Sequence, residues 1–260
     1  KSGNTLLRSI LGTYFFSQDG EFRFEYTYKI GQFPSLHYFK KAGVDIANNE
    51  EIFENYNAAQ KLFNQENKSI KFFKTHSAYF ERRNEIVSFS NPKNTLGAIY
   101  IVRDPRNVVT SYAYHYSIDV KEAARRICNK DLFNVRTKLH PETFISSWSR
   151  NYFSWKSRKD IRVLLIKYED LINNKKKILI DVFNFFQILG MNKKSFNLNK
   201  LEKVIESTEF SKMKQLEKKT QFDESIIDPN TKQKKPFFNL GPKNDWRESL
   251  NNELRKKIEK

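Results

Sequence analysis

The chain has 260 residues and a formal net charge of +17, from 47 Lys and Arg against 30 Asp and Glu. That length fits one domain, 1–260, and the 23 Phe and 12 Tyr give it the apolar area for a sizeable core. A single cysteine, Cys128, excludes an intramolecular disulfide and a zinc site built from several cysteines, and no apolar run approaches the roughly 20 residues that cross a bilayer.

The first element is the segment Lys1-Ser2-Gly3-Asn4-Thr5, which runs into an apolar helix, Leu6 to Phe16. Gly3 lets backbone approach an anion closely, and the unpaired N–H groups of a helix start carry partial positive charge. Lys1 adds a mobile cation, and Ser2, Asn4 and Thr5 add polar side chains. The lysine precedes the glycine and there is no second glycine, so this is not the triphosphate loop G-x-x-x-x-G-K-[ST]. Such loops follow a buried strand; none precedes Lys1 here, and a strand upstream in the natural protein is expected.

Residues 19–50 read as irregular, and Glu51 to Asn64 has apolar residues at helical spacing. Ile70 to Phe73 reads as a strand leading to Lys74-Thr75-His76. Thr95 to Val102 is nearly all apolar, as for a strand covered on both faces, with Arg103 at its carboxyl end. Pro105 suits the first turn of the next helix, and Ser111 lies eight residues after Arg103. A guanidinium and a hydroxyl converging on one phosphate account for that pair. Pro141 to Trp155 reads as a helix, Val163 to Ile166 as a strand, and Leu171 to Leu189 as a helix stopped by Gly190. Two shorter helices follow, Lys200 to Glu206 and Phe210 to Leu216. Residues 220–244 form a long polar loop, and a last helix begins at Trp246.

Short apolar strands separated by helices predict an α/β fold: three layers, a mainly parallel sheet with helices on both faces, of nucleotide-kinase-like P-loop architecture. Two phosphate-binding devices in one chain point to a ligand with phosphate at two separate places. The lysines are spread along the chain, as in Asn173-Asn174-Lys175-Lys176-Lys177, so the charge reads as a field that speeds capture of an anion. No nucleic acid is expected as a partner.

The opening loop and the strand-Arg-x-Pro-x-x-x-x-x-Ser segment resemble the two cofactor motifs of the sulfotransferases that use 3′-phosphoadenosine 5′-phosphosulfate (PAPS). Three further stretches are similar to that family: Lys74-Thr75-His76, the strand ending in Tyr168-Glu169-Asp170, and Thr208-Glu209-Phe210 with Met213. The resemblance runs from Lys1 to about Leu250. It implies PAPS as donor, with adenosine 3′,5′-bisphosphate as product and no metal. Lys1, Ser2, Gly3, Asn4 and Thr5 take the 5′ end, and Arg103 and Ser111 take the 3′-phosphate. Tyr168, Thr208, Phe210, Asn239 and Gly241 complete the nucleotide site. His76 is the catalytic base, with Lys1 and Lys74 beside the leaving group. His37, His115 and His140 lack such a context.

The late loop departs from the family's Arg-Lys-Gly and Gly-Asp-Trp. Asn239 and Leu240 hold the basic positions and Asn244 the second glycine, while Gly241, Asp245 and Trp246 agree. Lys243, Lys235 and Lys234 are the candidates to replace the missing charge. Leu6 stands where the family has a tryptophan. A cytoplasmic location is implied by the cytosolic type. The acceptor, whether small molecule, carbohydrate or peptide, stays open, as does the oligomeric state. Two other classes compete. A nucleotide kinase would need the absent second glycine and magnesium ligands. A nonenzymatic nucleic-acid-binding protein would leave the paired phosphate motifs unexplained.

Overall fold

The computed structural model describes residues 2–65, 70–82, 87–192, 196–228 and 231–259. The chain packs as two compact units, one formed by Lys1–Ile30, Ile101–Ile127 and Ile166–Lys260, the other by Gly31–Tyr100 and Cys128–Leu165.

The first unit is built round the helix Asn4–Phe16, in which every residue from Leu7 to Tyr14 is buried. A helix buried on all sides must satisfy its polar side chains internally. Ser9 Oγ lies 2.9 Å from Thr27 Oγ1. Arg8, 6% exposed, pairs with Glu224 at 2.6 Å and donates to the carbonyls of Thr27 and Ile30 at 3.0 and 3.2 Å. The helix Lys175–Ile188 contributes Phe183, whose ring sits 4.7 Å from that of Tyr14.

Strands Gly97–Val102 and Arg162–Lys167 are hydrogen-bonded neighbours, and their carboxyl ends, residues 101–102 and 166–167, belong to this unit. Arg103 follows one strand and Tyr168 the other, and the guanidinium lies 4.2 Å from the Tyr168 ring centre. Two strands that end side by side run parallel, and their carboxyl edge is where such sheets bind ligands. The first strand leads into the helix Pro105–Tyr116, capped by the Asp104 carboxylate on the Arg106 N–H at 2.9 Å with proline in the first turn. The second leads into Tyr168–Asn173, with Asn174 breaking it from the helix Lys175–Ile188. The predicted single helix Leu171 to Leu189 is therefore two, and Asp170 lies in the first turn of the former.

The second unit has an aromatic core in which Phe33, Phe39, Tyr56 and Phe89 are almost completely buried. Helices Leu36–Lys41, Asn49–Glu54 and Tyr56–Gln65 surround it. Residues 19–50 are thus less irregular than expected. Burial pushes the Tyr56 phenol up. Ile70 to Phe73 form no strand. Only Lys74 pairs, donating to the Gly31 carbonyl at 2.8 Å and accepting from the Phe33 N–H at 2.9 Å. In that parallel register the partners of residues 70–73 would be residues 28–31, which end the helix Phe24–Tyr28 and turn after it instead of extending. The predicted helix from Pro141 is also corrected. Thr143–Phe144 pairs with Phe133–Asn134 as a short hairpin. The helix begins at Trp148, where Ser147 Oγ accepts the Arg150 N–H and Ser146 turns the chain at φ +61°. A β-branched and an aromatic residue suit the pleat, and serine is a better helix start than His-Pro.

The described residues of 220–244 are mainly irregular, with Ile226–Ile227 pairing Lys234–Lys235. The buried carboxylate of Glu217 gathers this loop, accepting from the N–H groups of Phe237 and Phe238 at 2.6 and 2.9 Å and from Ser225 Oγ at 2.6 Å. Trp246 starts a short 3-10 turn, Trp246–Glu248, rather than the last helix, which is Asn252–Glu259.

Candidate active site

In the first unit the opening loop folds as a helix start. Gly3 is the residue before the helix and holds φ +96°, a left-handed conformation that disfavours any side chain. A Cβ there would also fall 2.6 Å from Tyr168 Cδ2. The first intrahelical bond runs from the Leu7 N–H to the Gly3 carbonyl at 3.1 Å, so the N–H groups of Asn4, Thr5 and Leu6 precede the helical ladder. Ser2 and Asn4 are half-buried beside them. The Thr5 hydroxyl is engaged elsewhere and donates to Glu224 Oε2 at 2.9 Å. Lys1 lies outside the described residues.

Tyr168 joins this loop to the second predicted device. Its ring is the wall against Gly3 and the platform under Arg103. Burial pushes the Tyr168 phenol up, against the pull of Arg103. Burial likewise pushes the guanidinium of Arg103 down, opposed by Tyr168, Glu169 and Asp104. Arg103 is only 5% exposed. Its Nη1 donates to Ser111 Oγ at 3.3 Å and its Nη2 to the Gly241 carbonyl at 3.2 Å. The predicted pair Arg103 and Ser111 is therefore in direct contact, and the late loop lies against it.

That loop is clamped to the helix Pro105–Tyr116 by Asn244 and Trp246, already noted in the late loop, and by Asn107, Thr110 and Arg106, which the sequence reading did not single out. The Asn244 amide, buried, contacts the Asn107 carbonyl at 3.0 Å, Thr110 Oγ1 at 2.9 Å and Ser111 Oγ at 3.3 Å. Asn107 Oδ1 accepts the Trp246 N–H at 2.9 Å. Arg106 stacks over Trp246 at 4.3 Å while holding Asp104 at 2.7 Å. Gly241 has φ +54°, and a Cβ there would lie 2.2 Å from the Phe210 ring. Phe210 and Leu6 pack against the same cluster, with Phe22, Phe24, Met213, Phe222 and Phe238. Leu6, where the resembled pattern has a tryptophan, thus packs among aromatic rings.

Thr208 is fully buried, and its hydroxyl donates to the Val204 carbonyl at 2.6 Å. Asn239 brings a cation to the late loop through its carbonyl, which accepts from Lys214 Nζ at 2.8 Å. Of the three lysines proposed to replace the missing charge, Lys235 is committed to Ser117 Oγ at 3.1 Å and to the Tyr114 ring at 4.2 Å. Lys234 and Lys243 are exposed.

In the second unit, Lys74-Thr75-His76 is held on both sides. Thr75 Oγ1 accepts the Ser77 N–H at 3.1 Å, and Asn151 Nδ2 donates to the His76 carbonyl at 3.2 Å. Ser77 Oγ and the Ala78 N–H both reach the Phe144 carbonyl, at 3.1 and 2.9 Å, and Trp155 Nε1 donates to the Ser77 carbonyl at 2.9 Å. His76 is exposed and Lys74 half-buried.

The first unit therefore offers an anion two places, a helix start and a buried arginine–serine pair, separated by one tyrosine ring. Among the described residues no helix is long and apolar enough to cross a membrane. The chain is similar to the crystal structure of mouse sulfotransferase SULT7A1 complexed with PAP, at a TM-score of 0.54 and 17% identity over 99% of this chain and 78% of that one. This likeness gives the fold, an α/β architecture with a parallel sheet and flanking helices. The family model described as "Sulfotransferase domain" matches residues 1–260, and the chain belongs to that sulfotransferase family.

Proposed function

We propose that the protein transfers the sulfuryl group of PAPS to a hydroxyl or amine of an acceptor, leaving adenosine 3′,5′-bisphosphate. The observation that carries this reading is the Arg103–Ser111 pair at 3.3 Å, set beside a glycine-capped helix start through Tyr168. A nucleotide with phosphate at both ends fits two such places, and the mouse sulfotransferase of similar fold is complexed with PAP. Ser2, Gly3, Asn4 and the Thr5 N–H, with Lys1, hold the 5′ end. Arg103 and Ser111 hold the 3′-phosphate by charge-assisted hydrogen bonds. Tyr168, Thr208, Phe210, Asn239 and Gly241 shape the walls round them.

PAPS is read as a substrate that supplies an activated S–O bond. His76 takes the acceptor's proton as the new oxygen–sulfur or nitrogen–sulfur bond forms. The old S–O bond breaks with its electron pair going to the bisphosphate, whose charge Lys74 and Lys1 stabilise. Support for these roles is the Lys-Thr-His context and the family. The acceptor class is a small molecule, carbohydrate or peptide.

Calorimetric titration of adenosine 3′,5′-bisphosphate against ATP tests the site. The bisphosphate should bind at least about tenfold more tightly, or about 1.4 kcal/mol; equal binding sinks the reading. His76→Ala should lower sulfuryl transfer by about 10²–10⁴-fold while bisphosphate binding holds. Near-normal turnover would remove His76 from the role.

A further inference from the structure

Asn244 occupies the place where the resembled pattern carries glycine, and its side chain does something a glycine cannot. The orientation of its amide follows from its partners. The Asn107 carbonyl, 3.0 Å away, can only accept, so that side of the amide is the NH2. Thr110 Oγ1 sits beside both atoms of the amide, 3.0 Å from Oδ1 and 2.9 Å from Nδ2. Ser111 Oγ, 3.3 Å from Nδ2, is the third oxygen within reach of the two amide hydrogens, after Thr110 Oγ1 and the Asn107 carbonyl. Arg103 Nη1, also purely a donor, reaches the same oxygen at 3.3 Å. A serine hydroxyl has two lone pairs and one proton. Two donors thus face its oxygen, an arrangement that favours a proton turned toward an acceptor.

We propose that Asn244 is a positioning residue for the 3′-phosphate: with Arg103 it presents donors to the Ser111 oxygen and so turns that hydroxyl's proton toward an anion. The inference rests on the nucleotide reading above and adds a residue to it. A free serine rotor would have to be oriented by the ligand. Here the orientation is set beforehand by a buried amide locked to Asn107 and Thr110. Asn244 adds no charge, so its contribution is orientation of a donor close to where the chain has Asn239 in place of arginine.

The test compares two ligands that differ by one phosphate, adenosine 3′,5′-bisphosphate and adenosine 5′-phosphate, by calorimetry. Asn244→Ala should weaken the bisphosphate about 5–20-fold and leave adenosine 5′-phosphate nearly unchanged, the size expected for loss of one aligned hydrogen bond to a charged group. In a Ser111→Ala background the same change should matter by less than about twofold, because the group it acts through is gone. Asn244→Asp, which accepts the Ser111 proton instead of donating, should weaken the bisphosphate more than alanine does. Should Asn244→Ala not fold, Asn244→Gly gives the same comparison, since φ −71° and ψ 105° suit either residue. Equal loss of both ligands, or an undiminished effect in the Ser111→Ala background, would assign Asn244 a purely structural role and overturn the proposal. Equal binding of both ligands by the unmutated protein would instead remove the 3′-phosphate site, and both readings with it.

Discussion

The two anion-suited places in the first unit are built in opposite ways. The opening one is local: residues 2–5 and the helix they start supply its donors, and its geometry comes from one left-handed glycine. The other is assembled from distant parts of the chain. Arg103 follows one strand, Ser111 lies on the next helix, and the Gly241 carbonyl that orients Arg103 is 138 residues away. The local site depends on backbone conformation and tolerates little change at one position. The distributed site depends on side-chain hydrogen bonds, so its parts can be altered one at a time and its strength graded.

The sharpest way to separate them is Arg103→Gln. Losing a buried cation with two directed donors should weaken adenosine 3′,5′-bisphosphate by about 10²-fold or more, and adenosine 5′-phosphate much less. Equal loss would erase the distinction between the places. Gly3→Ala should act on both ligands together. A side chain at positive φ carries about 1–2 kcal/mol of strain, and here it also meets the Tyr168 ring. A fall in melting temperature of about 2–8 °C is expected, with matched losses of both ligands by titration. A selective loss would show that the helix start serves only one end.

The smallest effect concerns Asp104, which caps the helix bearing Ser111. Burial pushes its carboxyl up, but the hydrogen bonds and charge of Arg106 outweigh this and hold it below the ordinary 3.8. Its contribution is complete above that value and is lost as pH falls through the lowered one. Asp104→Asn keeps a capping oxygen and removes the charge. It should lower stability at pH 7 by about 0.5–1 kcal/mol and make the melting temperature less steep in pH below 3.8. An unchanged acid limb would show that the pair with Arg106 does not matter there.

This contrast also decides what could be read from the sequence. The Gly3 loop is one element end and Arg103 and Ser111 lie eight residues apart, across a strand end and the helix after it, so their placement was legible from short-range pattern. Asn244 was not. It sits in a run, Lys243-Asn244-Asp245, that reads as ordinary loop, and its role exists only once the late loop meets the helix Pro105–Tyr116. Glu224 drawing off the Thr5 hydroxyl was hidden for the same reason. In the second unit Ile70 to Phe73 looked like a strand because apolar runs carry no information about whether a partner is available. Pro141 looked like a helix start because proline suits both a helix entry and the approach to a hairpin.

Arg103's tie to Gly241 also has a consequence in time. At about 5–20 residues per second on a ribosome, roughly 10–50 s separate the emergence of Gly3 from that of Gly241. Throughout that interval the nascent chain can present its glycine-capped helix start but not the finished arginine–serine pair. The proposed 3′-phosphate place is thus completed well after the helix start has emerged.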